Sequence, residues 1–148
     1  MLTGSAAERA IAMPMNDRAE AFESIERAPF AVMLALKIES AEHGVAVARM
    51  PFRPAILNDG GHRAPVHGGA IAALADFTAC AAVWSLEQTT RSATVAMSIN
   101  FTGPAVHSDL VAKASVTRAG RRLASIAVEI RDRAGSRVAD ALVTYAVS

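Results

Sequence analysis

From Ala70 to Leu86 the chain carries a single formal charge, Asp76, among alanines and the apolar residues Ile71, Leu74, Phe77, Val83 and Trp84. Alanine and leucine are strong helix formers, so this run predicts one helix from about His67 to about Glu87. A helix apolar on nearly every side must be buried rather than laid on a surface. It approaches the length of a membrane span, yet His67 and Asp76 interrupt it and no basic flank orients it. It is therefore read as the core of a soluble domain, and the rest of the chain has to cover it.

The helix opens on His67-Gly68-Gly69. Paired glycines are poor in a helix interior, but in a first turn they leave backbone N–H groups uncovered and let a ligand come close. Asp76 lies nine positions after His67, and its helical neighbours at three and four positions are Ala72, Ala73, Ala79 and Cys80, all small. That face invites close approach by another backbone, which predicts a carboxylate buried at a contact. Such a group costs several kcal/mol unless it is partnered, or else its pKa rises. Two readings stay open: a carboxylate held by hydroxyls that only fixes register, or one with chemical work.

The flanking segments read as strands. Ala35–Ala41 and Val45–Phe52 form a hairpin around His43-Gly44. Thr94–Phe101 alternates, with Val95, Met97, Ile99 and Phe101 on one face and Thr94, Ala96, Ser98 and Asn100 on the other. Leu110–Thr117, Leu123–Arg131 and Val138–Val147 follow, separated by turns at Ala119-Gly120 and Asp132–Gly135. Ahead of them, Asn16 or Asp17 caps a short helix through about Arg27, Pro29 ends it, and Phe30–Leu34 is a compact apolar cluster. Residues 53–65, dense in Pro, Gly, Asn and Asp, form a long loop of the kind that often carries function. Residues 1–15 have no period and are read as a partly disordered N-terminal segment before a domain spanning 16–148. Two strands, a long buried helix and four strands make an α+β domain, an antiparallel sheet of about six strands wrapped around one central helix.

With 148 residues and a net charge of +1, the chain suits one core and offers no general attraction for nucleic acid. Its lone cysteine, Cys80, cannot form an intrachain disulfide and is read as a small core residue. The N-terminus lacks a basic start followed by an apolar run, so a cytoplasmic protein is expected. His43, His62 and His107 sit in separate turns without ligand spacing, so no metal is expected. No phosphate loop, nucleophile elbow or dinucleotide fingerprint is present.

His67-Gly68-Gly69, Asp76 at its offset, and the strand Thr94–Phe101 running into Thr102-Gly103-Pro104-Ala105 together resemble the PaaI-like acyl-CoA thioesterases of the hotdog-fold superfamily. The likeness in layout runs from about Phe30 to Tyr145. It implies a hotdog fold, hydrolysis of an acyl-CoA to free acid and coenzyme A, and no cofactor beyond the coenzyme A of the substrate. It further implies Gly68 N–H as the group that polarises the thioester carbonyl, Asp76 as general base or nucleophile, and Thr94 as a hydroxyl partner of Asp76 or of the water. By the same resemblance Phe30 lies near the acyl pocket. Gly69 is read as permitting close approach, and His67 as holding the turn. The family usually has Asn or Gln six positions before the motif histidine; here that residue is Gly61, and Asn58 replaces it if the loop folds back. Arg91, Arg118, Arg121 and Arg122, at strand ends, are candidates for the coenzyme's phosphates.

The nine positions from the motif histidine, His67, to Asp76 rise about 13 to 14 Å along a helix and turn half a revolution. Gly68 and Asp76 of one chain therefore cannot serve one carbonyl, and the resemblance implies sites shared across a twofold homodimer or a dimer of dimers. The competing reading is a noncatalytic hotdog module that binds an acyl-CoA or another small ligand, which Gly61 favours. A dehydratase on the same fold fits less well, because His67-Gly68-Gly69 is not the motif of those enzymes.

Overall fold

A computed structural model describes residues 18–148. The expectations for residues 1–15 and for a cap at Asn16 or Asp17 lie outside the described residues. The chain begins with helix α1 (Arg18–Arg27) and a short helix α2 (Pro29–Met33), followed by the hairpin strands β1 (Lys37–Glu42) and β2 (Val45–Met50). A 3-10 turn (Pro54–Ile56) and a loop lead to the long helix α3 (Gly68–Trp84). Four strands close the domain: β3 (Ser92–Phe101), β4 (Leu110–Ala119), β5 (Leu123–Asp132) and β6 (Arg137–Val147). All pairings are antiparallel, in one six-stranded sheet of order β1-β2-β4-β5-β6-β3. This is the hotdog architecture, with α3 lying against one face of the sheet.

The contact between α3 and the sheet is made by small residues. Ala75, Ala79, Ala81 and Ala82 of the helix are fully buried, as are Ala46, Ala48, Ala112, Ala114 and Ala124 of β2, β4 and β5. Larger side chains, Leu74, Val83, Leu110, Ile126, Ile130 and Val143, fill the remaining space. The alternation read in β4 and β5 is seen, with Leu110, Ala112, Ala114, Ile126, Val128 and Ile130 turned into the core.

Some element boundaries moved for local reasons. Ala35 takes φ +52°, a left-handed conformation that closes α2, so β1 starts at Lys37 rather than Ala35. Pro29 does end α1, but it also opens α2, where its missing N–H is harmless. Only Ala31 and Leu34 of the Phe30–Leu34 cluster are core; Phe30, Val32 and Met33 are exposed. The long helix stops at Trp84, short of Glu87, because the Ser85 hydroxyl donates back to the Ala82 carbonyl at 2.7 Å and caps the last turn.

The same hydroxyl accepts the Gly44 N–H at 2.7 Å, which ties the β1–β2 turn to the end of α3. At that turn His43 and Gly44 have φ of +49° and +79°, the two positive values that a two-residue hairpin turn of this hand requires. A Cβ on Gly44 would stand 3.1 Å from Leu86 Cδ2 and 3.3 Å from Val116 Cβ. Gly44→Ala therefore combines backbone strain with crowding, and it is expected to lower unfolding stability by about 1 to 3 kcal/mol. Urea titration of the variant against the parent measures this, and an unchanged midpoint contradicts it.

Candidate active site

Val66 N–H donates to the Ala105 carbonyl at 2.8 Å and His67 N–H to the Ile56 carbonyl at 2.7 Å, so the start of α3 is pinned between two loops. His67 is the N-cap: its Nδ1 accepts the Gly69 N–H at 2.8 Å, while its carbonyl accepts from Ala70 and Ile71. That contact gives the imidazole a structural part in the turn. Gly69, whose Cβ would meet that ring at 3.0 Å, is thus packed by His67, and its N–H is already engaged. Gly68 N–H, by contrast, enters no hydrogen bond among the described residues. It is a bare donor at the positive end of a long helix.

This donor opens on a cavity of about 470 Å³ lined by Asn58, Val66, Gly68, Ile71, Phe101 and Pro104, among others. Asn58 reaches it because the loop does fold back. Asn58 N–H donates to the Pro65 carbonyl at 2.9 Å, and Leu57 pairs with Val66. Gly61 is exposed, and its N–H donates to Asp59 Oδ1 at 2.6 Å within a tight turn. Phe101, to which the sequence assigns no site role, lies with its ring 3.1 Å from where a Gly68 Cβ would be and forms a wall of the cavity.

Asp76 is elsewhere, eight residues along the same helix, in a separate cavity of about 330 Å³. Ile25, Phe30, Leu36, Phe77, Cys80 and Tyr145 give this one an apolar lining. Within the protomer Asp76, Ala72, Ala73 and Cys80 are half-buried, and they form the open stripe of α3 beside β3. The carboxylate is held from the sheet. Thr94 Oγ1 donates to Asp76 Oδ1 at 2.8 Å, and the Tyr145 hydroxyl donates to the same oxygen at 2.7 Å.

Strict alternation placed Thr94 on the face opposite Met97, Ile99 and Phe101, and that is corrected. A bulge lies between Thr94 and Ala96, where Thr94 pairs with Tyr145 and Ala96 with Thr144. The extra residue, Val95, resets the alternation, so Thr94 shares the helix-facing side with Met97, Ile99 and Phe101. Tyr145, near the end of β6, was missed in the sequence. Its only signal there is a polar-tipped aromatic at an inward position of the last strand.

Arg91, Arg118 and Arg121 line neither cavity; nor does Arg122. They are exposed and collect at one end of the sheet, where Arg91 N–H donates to the Ser148 carbonyl at 2.8 Å and Val147 N–H to the Arg122 carbonyl at 2.9 Å. Among the described residues no group of three or more His, Cys, Asp or Glu could hold a metal, and no helix is long and apolar enough to cross a membrane.

Residues 65–139 match the thioesterase superfamily, and the chain belongs to that family. No curated protein matches the chain. Among solved structures it is similar to a conserved protein of Pseudomonas aeruginosa, at 28% identity and a TM-score of 0.77, covering 84% of this chain and 98% of that one. It is also similar to the E. coli PaaI protein from the phenylacetic acid degradation operon, at 26% identity and a TM-score of 0.76, covering 88% and 91%. A hypothetical thioesterase from Streptococcus pneumoniae, with coenzyme A, shares the fold at 24% identity and a TM-score of 0.73, covering 87% and 95%.

Cys80 lies in the wall of the Asp76 cavity, where burial first and the Asp76 charge second push its thiol up to about 12. The thiolate is the reactive form, so the side chain is inert at neutral pH. Alkylation by iodoacetamide should be slow in the folded protein at pH 8 and accelerate as pH rises toward 12, whereas the unfolded chain should level off just above 9. Fast alkylation at pH 8 in the native protein contradicts this environment. The raised value also implies stability that is full below the unfolded thiol's pKa and declines as pH climbs from about 9 to 12.

Proposed function

We propose that the protein hydrolyses acyl-CoA thioesters to free acid and coenzyme A in the cytoplasm, as a homodimer or a dimer of dimers, with each site built from two subunits. The observation that supports this best is the pair of incomplete half-sites. A bare helix-start N–H at Gly68 and a carboxylate with one uncommitted oxygen at Asp76 sit in different cavities of one protomer. Each is linked to its own end of the edge strand β3, Gly68 through Phe101 and Asp76 through Thr94.

β3 is the free edge of the sheet and is exposed along almost its whole length, with Val95, Met97 and Phe101 open. Antiparallel pairing of two copies of β3, with Thr94 opposite the partner's Phe101, carries the glycine turn of one subunit toward Asp76 of the other. It also covers the unpaired edge. The carbonyl then lies between them. Gly68 N–H donates to its oxygen and stabilises the charge that develops there, and Asp76 either takes the proton of an attacking water or attacks directly. A new C–O bond forms, the C–S bond breaks, and coenzyme A leaves as a thiolate that takes up the proton; where Asp76 itself attacks, water then cleaves the mixed anhydride to the free acid and restores the carboxylate. Asn58, which lines the same cavity as Gly68, orients the water, Phe30 and the apolar lining take the acyl chain, and Arg91, Arg118 and Arg121 meet the coenzyme's phosphates. The competing reading, a module that binds acyl-CoA without cleaving it, is favoured by Gly61 in place of a polar residue.

A panel of aryl and aliphatic acyl-CoA esters with a thiol reagent decides between the two. Turnover by the parent and its loss by at least a hundredfold in Asp76→Asn are expected. Binding without release of thiol selects the noncatalytic reading.

A paired substitution tests the donor. Gly68 is the first residue of α3, and His67 before it is extended at φ −60° and ψ 132°, so proline is compatible there. Gly68→Pro removes the N–H, whereas Gly68→Ala keeps it while adding the same Cβ against Phe101. A loss of about 10²- to 10³-fold in kcat for Pro beyond that for Ala is expected. Equal losses contradict a role for the amide.

A further inference from the structure

Resting on the reading of Asp76 as the reacting carboxylate, we propose that Tyr145 is its positioning residue, and that Asp76 Oδ2 is the oxygen that acts. The two carboxylate oxygens are not equivalent. Oδ1 accepts from two hydroxyls, Thr94 at 2.8 Å and Tyr145 at 2.7 Å. Oδ2 accepts from no described residue, and it is not among the buried polar atoms left without a partner, so it is open to the cavity. With Oδ1 occupied, Oδ2 is the oxygen free to meet a water or a carbonyl.

The two donors differ in what they can fix. Thr94 is exposed and sits beside a bulge in an edge strand, where the backbone has only one neighbour. Tyr145 is 3% exposed and lies in β6 between β5 and β3, hydrogen-bonded on both sides. Its hydroxyl reaches both the Asp76 carboxylate and the Asp76 backbone carbonyl, the latter at 3.0 Å, so it references the side chain to the helix that carries it. Burial, with the neighbouring Cys80 and Asp76 adding to it, pushes the phenol well above its ordinary range. It therefore stays a protonated donor at neutral pH. A carboxylate on a half-open helix stripe has two free torsions, and a hydroxyl bonded to both its Oδ1 and its own backbone carbonyl restrains them.

Tyr145→Phe keeps the ring in the core and deletes only the hydroxyl. The expected result is a 10- to 100-fold fall in kcat with KM changed by less than about threefold, because the acyl chain still meets the same ring. In an Asp76→Asn background, adding Tyr145→Phe should change the residual rate by less than twofold, since there is no carboxylate left to position.

A merely structural tyrosine would lower kcat by the same factor in both backgrounds, and that result overturns the proposal. So does Tyr145→Phe at parental kcat. If Tyr145→Phe lowers the melting temperature, assays well below the transition, with circular dichroism confirming the fold, still read the split between kcat and KM. Failure here is distinct from failure of the hydrolase reading: full activity in Asp76→Asn overturns both, whereas loss in Asp76→Asn beside full activity in Tyr145→Phe overturns only this one.

Discussion

Close contact between an alanine-rich helix and an alanine-rich sheet is what the rest of this structure depends on. Where Ala75, Ala79, Ala81 and Ala82 face Ala46, Ala48, Ala112, Ala114 and Ala124, small side chains on both sides let backbone approach backbone. The helix is therefore gripped by β2, β4 and β5 and left partly bare on the side of β3. Its one charge falls on that bare side. Asp76 could not occupy the gripped face without losing its solvent and its partners together, whereas on the open stripe it needs only two hydroxyls and retains access to the cavity.

Much of this architecture was legible in the chain because it rests on local rules. The central helix followed from a run with one charge, the hairpin from His43-Gly44, and the inward positions of β4 and β5 from simple alternation. The bulge at Val95 was not legible, because nothing in Thr94-Val95-Ala96 distinguishes a regular strand from one that slips by a residue. Its register is set by the pairing with β6. The consequence was specific: alternation turned Thr94 away from the helix, while the family resemblance paired it with Asp76, and the bulge reconciles the two.

Tyr145 was hidden for a different reason. It lies 69 residues from Asp76, and their contact exists only because β6 runs between β5 and β3 and delivers its end beside the middle of the helix. Asn58 was a conditional assignment, and the condition, a loop folded back on itself, is visible in the Asn58–Pro65 hydrogen bond and the Leu57–Val66 bridge. The arginines show the opposite case. Strand ends were a correct placement for Arg118 and Arg121, yet a place at a strand end does not say which cavity a side chain serves, and within the protomer they line neither of the two.

On the proposed dimer, the geometry of β3 explains why the site is divided. An edge strand that presents Val95, Met97 and Phe101 to water is a liability in a protein that acts alone. One strand also sets the distance between the two half-sites, since its beginning carries Thr94 to Asp76 and its end carries Phe101 to Gly68. Within one chain that length keeps donor and carboxylate apart. In the dimer proposed above, the same length, reversed and laid alongside itself, would bring each group toward its complement in the other copy, so that covering the exposed edge and completing the site would be a single event. A carboxylate kept half-open in the protomer is, on this account, one whose remaining wall is supplied by the partner.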